Sequence, residues 1–575
     1  MRHALLSILF LLGVMSTGFA EDLSFKDPLR QRLIDQAPGL LKSFDAPTRH
    51  FGEGIWIVND QHPMYPLAVA YALDIPGNPY HKSAELLEVI MKAGDALIAD
   101  ADADGKWEFR KKDGSTWGTI HMPWTYSRWV RTFAIIKEDM PPDRRERWTK
   151  ALLLGYGNIA KTALGNVHNI PAHHAMGLYV AGKSLDRPEW CDQAAAFLRR
   201  VASDQREGGY WSEGAGPVVA YNFVYVDALG TYYAISGDAE VLPTLERAAA
   251  FHLRFTYPNG HRVETIDQRN PYDPGVNVGN VGFTLTAAGR AYLHRQWALR
   301  GIEHLDTDLI ASLLLYGKEG PTAPESAATG QFLLVEDGVP RAATLRQEPW
   351  FVCLSAYCGP VEQNRWLQDR QNLVSVYHDR TGLILGGGNT KLQPAWSTFT
   401  VGDTTLLRHT PGDASPDFLP RGALHHVPDA AKLVTEPALG LDLRYGPEEC
   451  RVRVAVFDDR RLGLQLDATV GSGQPVAAHL TLLPHIGKPL KTDADQEMFI
   501  GESPFELDPD AVGGGIRYAG CHFELPASAS IHWPAKRHNP YAKDGAAPVE
   551  NHRIEIRIPF DDKHLTHAVI INVVD

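Results

Sequence analysis

Seven residues, His168-Asn169-Ile170-Pro171-Ala172-His173-His174, bring one amide and three imidazoles together. Tyr221 and Tyr225 follow, 52 and 56 residues after Asn169 and one helical turn apart. An amide and an imidazole can hold a carboxylate, and a phenol can move a proton. These groups suit β-elimination on a uronic-acid sugar, where neutralising the carboxylate acidifies the C5 proton. A third stretch, Tyr257 to Tyr272, is too rich in charge and amide for a core. In it Arg262, Glu264, Asp267 and Arg269 fall at near-alternating positions, as on one face of an extended segment. Arg269 lies 48 residues beyond Tyr221 and offers a guanidinium able to grip a carboxylate through two N–H groups.

Elements must position these groups. Pro171 suits the first turn of a helix, so Asn169 caps or precedes that helix, and His173 and His174 sit in its opening turns. The glycines of Gly208-Gly209-Tyr210-Trp211-Ser212-Glu213-Gly214 turn the chain into a second helix that carries Tyr221 and Tyr225 on one face. Of the two, Tyr221 is the proton carrier by its nearness to the loop, and Tyr225 is expected nearer the core. Trp117, His121, Trp124 and Arg128 are spaced by three and four, as if on one helical face lining a sugar groove.

From about Tyr65 to Tyr316, apolar residues recur at helical spacing in 83–100, 145–162, 188–203, 239–255 and 284–300. Between these plain amphipathic windows lie the aromatic and histidine-rich segments 117–129, 169–179 and 209–233. Alternation of the two kinds predicts a double layer with the functional helices inside, an (α/α) toroid over residues 21–319. Gly320-Pro321-Thr322-Ala323-Pro324-Glu325-Ser326 opens a connector over 320–340. Beyond it, short β-branched runs at 373–377, 383–385, 451–457, 462–466, 478–483, 553–558 and 568–573 predict an antiparallel β-sandwich over 341–575.

Bulk composition narrows the function. The 575 residues exceed what one core serves, and 44% hydrophobic with 22% charged residues is ordinary for a globular protein. A net charge of −13 argues against nucleic acid as partner, while a local basic cleft remains compatible with an acidic polysaccharide or oligosaccharide. Arg2 and His3, the apolar run 4–15 and Gly18-Phe19-Ala20 read as a secretory signal peptide over 1–20, too short to span a membrane. Export to the periplasm or the exterior is therefore expected, without membrane insertion. The five cysteines show no metal spacing, though Cys353 and Cys358 are close enough in sequence to pair. Asp100-Ala101-Asp102-Ala103-Asp104-Gly105 opens like a calcium loop, but its twelfth position is Lys111 where a bidentate Glu is needed. No redox cofactor is required, and a bound zinc or calcium ion is left open. The sequence carries nothing on oligomeric state.

The combination resembles the toroid-plus-sandwich polysaccharide lyases, the group that holds chondroitin AC lyases, heparinase II/III-like lyases and alginate lyases. In these, an Asn and a His on one inner helix precede a catalytic Tyr by fifty to sixty residues, often through a Glu-Gly-x-Gly run such as Glu213-Gly214-Ala215-Gly216. The resemblance implies that Asn169 with His173 or His174 neutralises the carboxylate, that Tyr221 transfers the proton, and that Arg269 assists. Beside these, Glu213, Tyr225, Asp267 and Tyr272 are candidates for contact with the sugar, and His378 is the candidate sandwich residue for reaching into the cleft. The chain departs from the group in that Asn169 stands four residues before His173, where alginate lyases of this type often have Asn directly before His. It also carries Tyr377-His378-Asp379-Arg380 where a His-x-His-x-Asp run is usual. Two other readings compete: a toroidal glycoside hydrolase using Glu213 with Asp267 or Glu264 as its carboxylate pair, and a non-catalytic carbohydrate-binding protein.

Overall fold

The computed structural model describes residues 22–324 and 329–574, so the signal peptide expected over 1–20 lies outside the described residues. Twelve helices occupy the first part: α1 (Lys26–Lys42), α2 (Met64–Ala72), α3 (Ala84–Asp100), α4 (Pro123–Ile136), α5 (Pro142–Thr162), α6 (Asn169–Ser184), α7 (Pro188–Ser203), α8 (Val219–Ser236), α9 (Leu242–Arg254), α10 (Val281–Thr284), α11 (Ala287–Arg300) and α12 (Thr307–Tyr316). Two kinds alternate. In α3 the buried residues Leu86, Leu87, Ile90, Met91 and Leu97 form a single stripe. In α2 and α6 burial is continuous, from Met64 to Tyr71 and from Ala172 to Gly182.

Packing explains the difference. The even-numbered helices lie against one another in series from α2 to α12, and α12 packs back on α2. This ring is walled in turn by α3, α5, α7, α9 and α11. A helix with neighbours on every side must be apolar all round, whereas an outer one needs a single apolar face. Glycines permit the closest approaches: a Cβ on Gly94 of α3 would lie 1.9 Å from the Trp148 ring of α5.

Strands follow. The first long one, Gly330–Glu336, begins inside the connector expected over 320–340, so the linking segment ends by Thr329. Five antiparallel strands between Gly330 and Leu385 form one sheet; two larger antiparallel sheets have six and nine strands. Glu448–Val456, Arg461–Ala468 and Thr566–Val573 are adjacent in the nine-stranded sheet, and Val476–Leu482 and Arg553–Phe560 in the six-stranded one. Their inward residues, among them Val452, Leu464, Leu466, Val569 and Ile571 from one sheet and Ala478, Leu480, Ile556 and Ile558 from the other, share one core. The period-two burial of Glu448–Val456 is the pattern of a strand with one face on that core.

The five-stranded sheet ties the halves together. Tyr210, Phe251, Phe255, Tyr257 and Ile266 from the helical side pack with Leu334, Phe351, Cys353, Tyr357 and Tyr377 from that sheet. All five cysteines are free, so Cys353 and Cys358 do not pair. No helix among the described residues is long and apolar enough to cross a membrane.

Candidate active site

Two carboxylates set the framework by capping helices they do not belong to. α6 has no side-chain cap of its own, and its first residue, Asn169, is held instead by Glu213. Glu213 Oε1 accepts the Asn169 backbone N–H at 3.1 Å and Oε2 accepts the side-chain amide at 3.2 Å. The Tyr225 hydroxyl donates to the same Oε1 at 2.6 Å. α8 likewise lacks a local cap, and Asp267 Oδ2 accepts its first N–H, from Val219, at 2.8 Å. Asp267 Oδ1 also accepts the backbone N–H groups of Arg269 and Asn270 at 2.7 and 2.8 Å. Each carboxylate satisfies donors that a helix start leaves open and sits at the positive end of the helix dipole. One buried Asp267 thereby fixes both the helix carrying Tyr221 and the segment carrying Arg269.

Tyr221 is the third residue of α8, and Arg269 lies over its ring, guanidinium carbon 4.8 Å from the centroid. The Arg269 Nε is buried without a hydrogen-bond partner among the described residues. The Tyr221 hydroxyl stands 3.3 Å from that of Tyr541. Tyr541 comes from the segment between strands Ser530–Ala535 and Arg553–Phe560, on the far half of the chain. Trp366, from the segment between Trp350–Ser355 and Val374–His378, packs against both Tyr541 at 5.6 Å and Trp117 at 4.7 Å. Arg269 is also 5.8 Å from the Trp366 ring. Helical, hairpin and sheet segments thus converge on Tyr221. Burial raises its hydroxyl above the ordinary phenol value, helped by Tyr541 and Glu213, while Arg269 pulls it down. Burial outweighs that positive charge.

The other candidates are placed differently. His173 and His174 are 3% and 5% exposed because α6 is enclosed on all sides. His173 Nε2 shares a 2.9 Å hydrogen bond with Ser127 Oγ, and the ring meets Trp124 edge-on. Burial, then Arg128 and Arg131, pushes its imidazole well below the usual value; burial, then His121, pushes His174 to about 3. Both are neutral interior groups, whereas His168, beside Asn169, is the exposed histidine of that segment. Trp117, His121, Trp124 and Arg128 do not share a helical face. Trp117 is on a hairpin strand, Thr116–Ile120, and His121 follows it, with its Nε2 3.0 Å from the Asp104 carbonyl. Only Trp124 and Arg128 are on α4, and Arg128 is engaged by both oxygens of Asp308 at 2.7 and 2.6 Å. Tyr225 is fully buried. The Tyr272 hydroxyl is tied to His261 Nδ1 at 2.6 Å. His378 bonds the Asp459 carbonyl at 3.0 Å and packs on Trp350 within the strands, so it does not reach the cleft.

The carboxylates proposed for hydrolysis are committed elsewhere. Glu264 accepts from Gly387 N and the Tyr257 hydroxyl, Asp267 caps α8, and Glu213 holds Asn169 and Tyr225. In the calcium-like run, Asp102 Oδ1 accepts the N–H groups of Asp104 and Lys106, closing the turn itself. Among the described residues no group of three or more His, Cys, Asp or Glu is arranged to hold a metal ion. Trp366, Arg365 and Tyr541 were missed as site residues. Only their aromatic and cationic types hinted at a role, since their segments carry no periodicity.

No protein-family model and no curated protein sequence matches this chain. Solved structures do. A Paenibacillus xanthan lyase superposes with a TM-score of 0.53 at 11% identity, over 96% of this chain and 57% of that one. The chain therefore spans little more than half the length of that enzyme. A heparinase III superposes with a TM-score of 0.50 at 12% identity, over 96% of this chain and 84% of its own. The chain has the fold of these toroid-plus-sandwich polysaccharide lyases.

Proposed function

We propose that the protein is a polysaccharide lyase that cleaves a uronic-acid-containing polymer or oligomer by β-elimination. The observation that carries this reading is the Tyr221–Tyr541 hydroxyl pair beneath an Arg269 whose Nε has no hydrogen-bond partner among the described residues. The substrate carboxylate lies against Arg269 and the remaining side-chain N–H of Asn169, which lowers the energy of the enolate-like charge that develops. Tyr221, as phenolate, removes the C5 proton. The C4–O4 bond breaks, a C4=C5 double bond forms, and O4 leaves with a proton from Tyr541. Glu213 holds Asn169, and Asp267 holds Tyr221 and Arg269 in register. The ring of helices supplies the cleft and the sheet segments close its mouth, the (α/α) toroid and β-sandwich of the lyase fold. Export by the leader expected over residues 1–20 would bring the enzyme to such polymers.

The test is incubation with a panel of acidic polysaccharides while ultraviolet absorbance is followed. An unsaturated uronide absorbs, and a hydrolysis product does not. Chain cleavage without a new chromophore would replace elimination by hydrolysis.

A further inference from the structure

The calcium-like run that ends in Lys111 has a role of another kind. Lys111 occupies the turn of the hairpin Trp107–Arg110 / Thr116–Ile120, and its Nζ lies 3.8 Å from the Trp117 ring. It donates to the Tyr541 carbonyl at 3.2 Å. Arg365, from the Trp366 segment, donates to the next carbonyl, that of Ala542. Two cations from distant parts of the chain are therefore drawn to consecutive carbonyls of one loop. Among the described residues neither forms an ion pair with a carboxylate. Asp113 attracts Lys111 but is hydrogen-bonded to Ser115. The Arg365 Nε is buried with no hydrogen-bond partner among the described residues.

Like charges so placed repel, and their proximity is costly unless an anion joins them. Burial, together with Arg365, holds the Lys111 ammonium below its ordinary value. Arg537 adds to the field from the start of the same loop, within electrostatic reach of Tyr541. Trp366 links this cluster to the reacting centre: Arg365 is 5.7 Å and Arg269 5.8 Å from its ring. One cation thus serves the sugar at Tyr221, and a second cationic position lies one indole away. In a chain of net charge −13 this local excess marks a site shaped for anions.

We propose that Lys111 and Arg365 bind a second anion, carried by the sugar next to the uronate that is cleaved. The substrate is then a polymer in which the neighbouring unit also bears a carboxylate or a sulfate ester. This rests on the lyase reading for the identity of the first sugar. It does not rest on it for the site itself.

The test measures binding, which needs no turnover. Affinities of the wild type, Lys111→Gln and Arg365→Gln are compared for three oligosaccharides of equal length. These are a polyuronate, an alternating uronate–N-acetylhexosamine chain, and the sulfated form of that chain. The wild type should bind at least one doubly anionic chain about tenfold more tightly than the unsulfated alternating one, and each variant should erase most of that difference. Preference for the polyuronate identifies the second anion as carboxylate, and preference for the sulfated chain as sulfate. Equal binding of all three, or variants that weaken all three by the same factor, overturns the proposal. Lys111 is on a hairpin turn, so its variant reports even if Arg365→Gln destabilises its loop. Absence of unsaturated product with retained anion discrimination would sink the lyase reading alone.

Discussion

The hydroxyls of Tyr221 and Tyr541 stand 3.3 Å apart although 320 residues separate them in the chain. One comes from the third residue of a ring helix and the other from a loop of the sheet half, so the pair exists only when both halves are docked. Proton removal and proton return can then be divided between two groups. Tyr221→Phe is expected to lower kcat by roughly 10²- to 10⁴-fold, the usual worth of a general base, with little change in affinity. Tyr541→Phe is expected to lower kcat as well, least on substrates with a good leaving group at C4, since those need O4 protonation least. Initial rates of unsaturated-uronide formation decide this. A Tyr221→Phe enzyme with full turnover would remove Tyr221 from the mechanism.

Arg269 sets the pH dependence. Burial, reinforced by Tyr541 and Glu213, raises the Tyr221 pKa, and Arg269 opposes that rise. The active form is the phenolate, so kcat/KM should climb as pH rises through neutrality into the alkaline range. Removing the cation in Arg269→Gln takes away a charge that stabilises the phenolate and moves the climb to higher pH. Arg269→Lys keeps the charge but loses the two-pronged grip, so it should raise KM while leaving the profile nearer that of the wild type. A Gln variant whose profile moves to lower pH would show that Arg269 does not act on Tyr221.

Glu213 and Asp267 separate elimination from hydrolysis. As positioning groups they act through Asn169, Tyr221 and Arg269, and a misplacement of about 1 Å can cost 10²-fold in rate. Glu213→Gln, which keeps an acceptor for the Asn169 N–H, should lower kcat by about 10- to 100-fold and retain measurable turnover. Asp267→Asn should reduce both kcat and the unfolding temperature, because Asp267 accepts backbone N–H groups at two places. In a hydrolase that uses them as acid and base, either change would abolish turnover. Rates paired with thermal melts distinguish the two.

These relationships were unequally legible in the sequence. Windows such as 83–100 and 188–203 show a one-sided apolar stripe because outer helices meet the core on one face, and they become α3 and α7. The same rule misleads inside the ring. His173 and His174 read as a polar cluster, yet α6 has neighbours on all sides and encloses them. The three- and four-residue spacing from Trp117 to Arg128 runs across a strand that ends at Ile120 and a helix that starts at Pro123, so its helical periodicity was accidental. Tyr221 and Arg269 stand out in the sequence by chemical type, and Asp267 ties the segments that carry them. Trp366 and Tyr541 could not, because their placement depends on loops without periodicity and on the docking of two cores.

The ring itself can be tested at Gly230 of α8. A Cβ there would lie 2.3 Å from the Cα of Gly282 in α10, a backbone atom that cannot swing aside. Replacing a helical Gly by Ala ordinarily stabilises by about 1 kcal/mol. Overpacking a close contact costs about 1–3 kcal/mol, so at Gly230 the balance turns unfavourable. Gly157 of α5 is the control: its Cβ would meet nothing nearer than a Trp190 ring carbon at 3.9 Å, ordinary van der Waals contact. Thermal unfolding should therefore show Gly230→Ala below the wild type and Gly157→Ala at or above it. Because α8 carries Tyr221, the Gly230 variant should lose activity beyond its loss of folded protein, as the displaced helix shifts the phenol relative to Arg269 and Tyr541. Equal melting temperatures for the two variants would mean that α8 and α10 are not packed backbone to backbone.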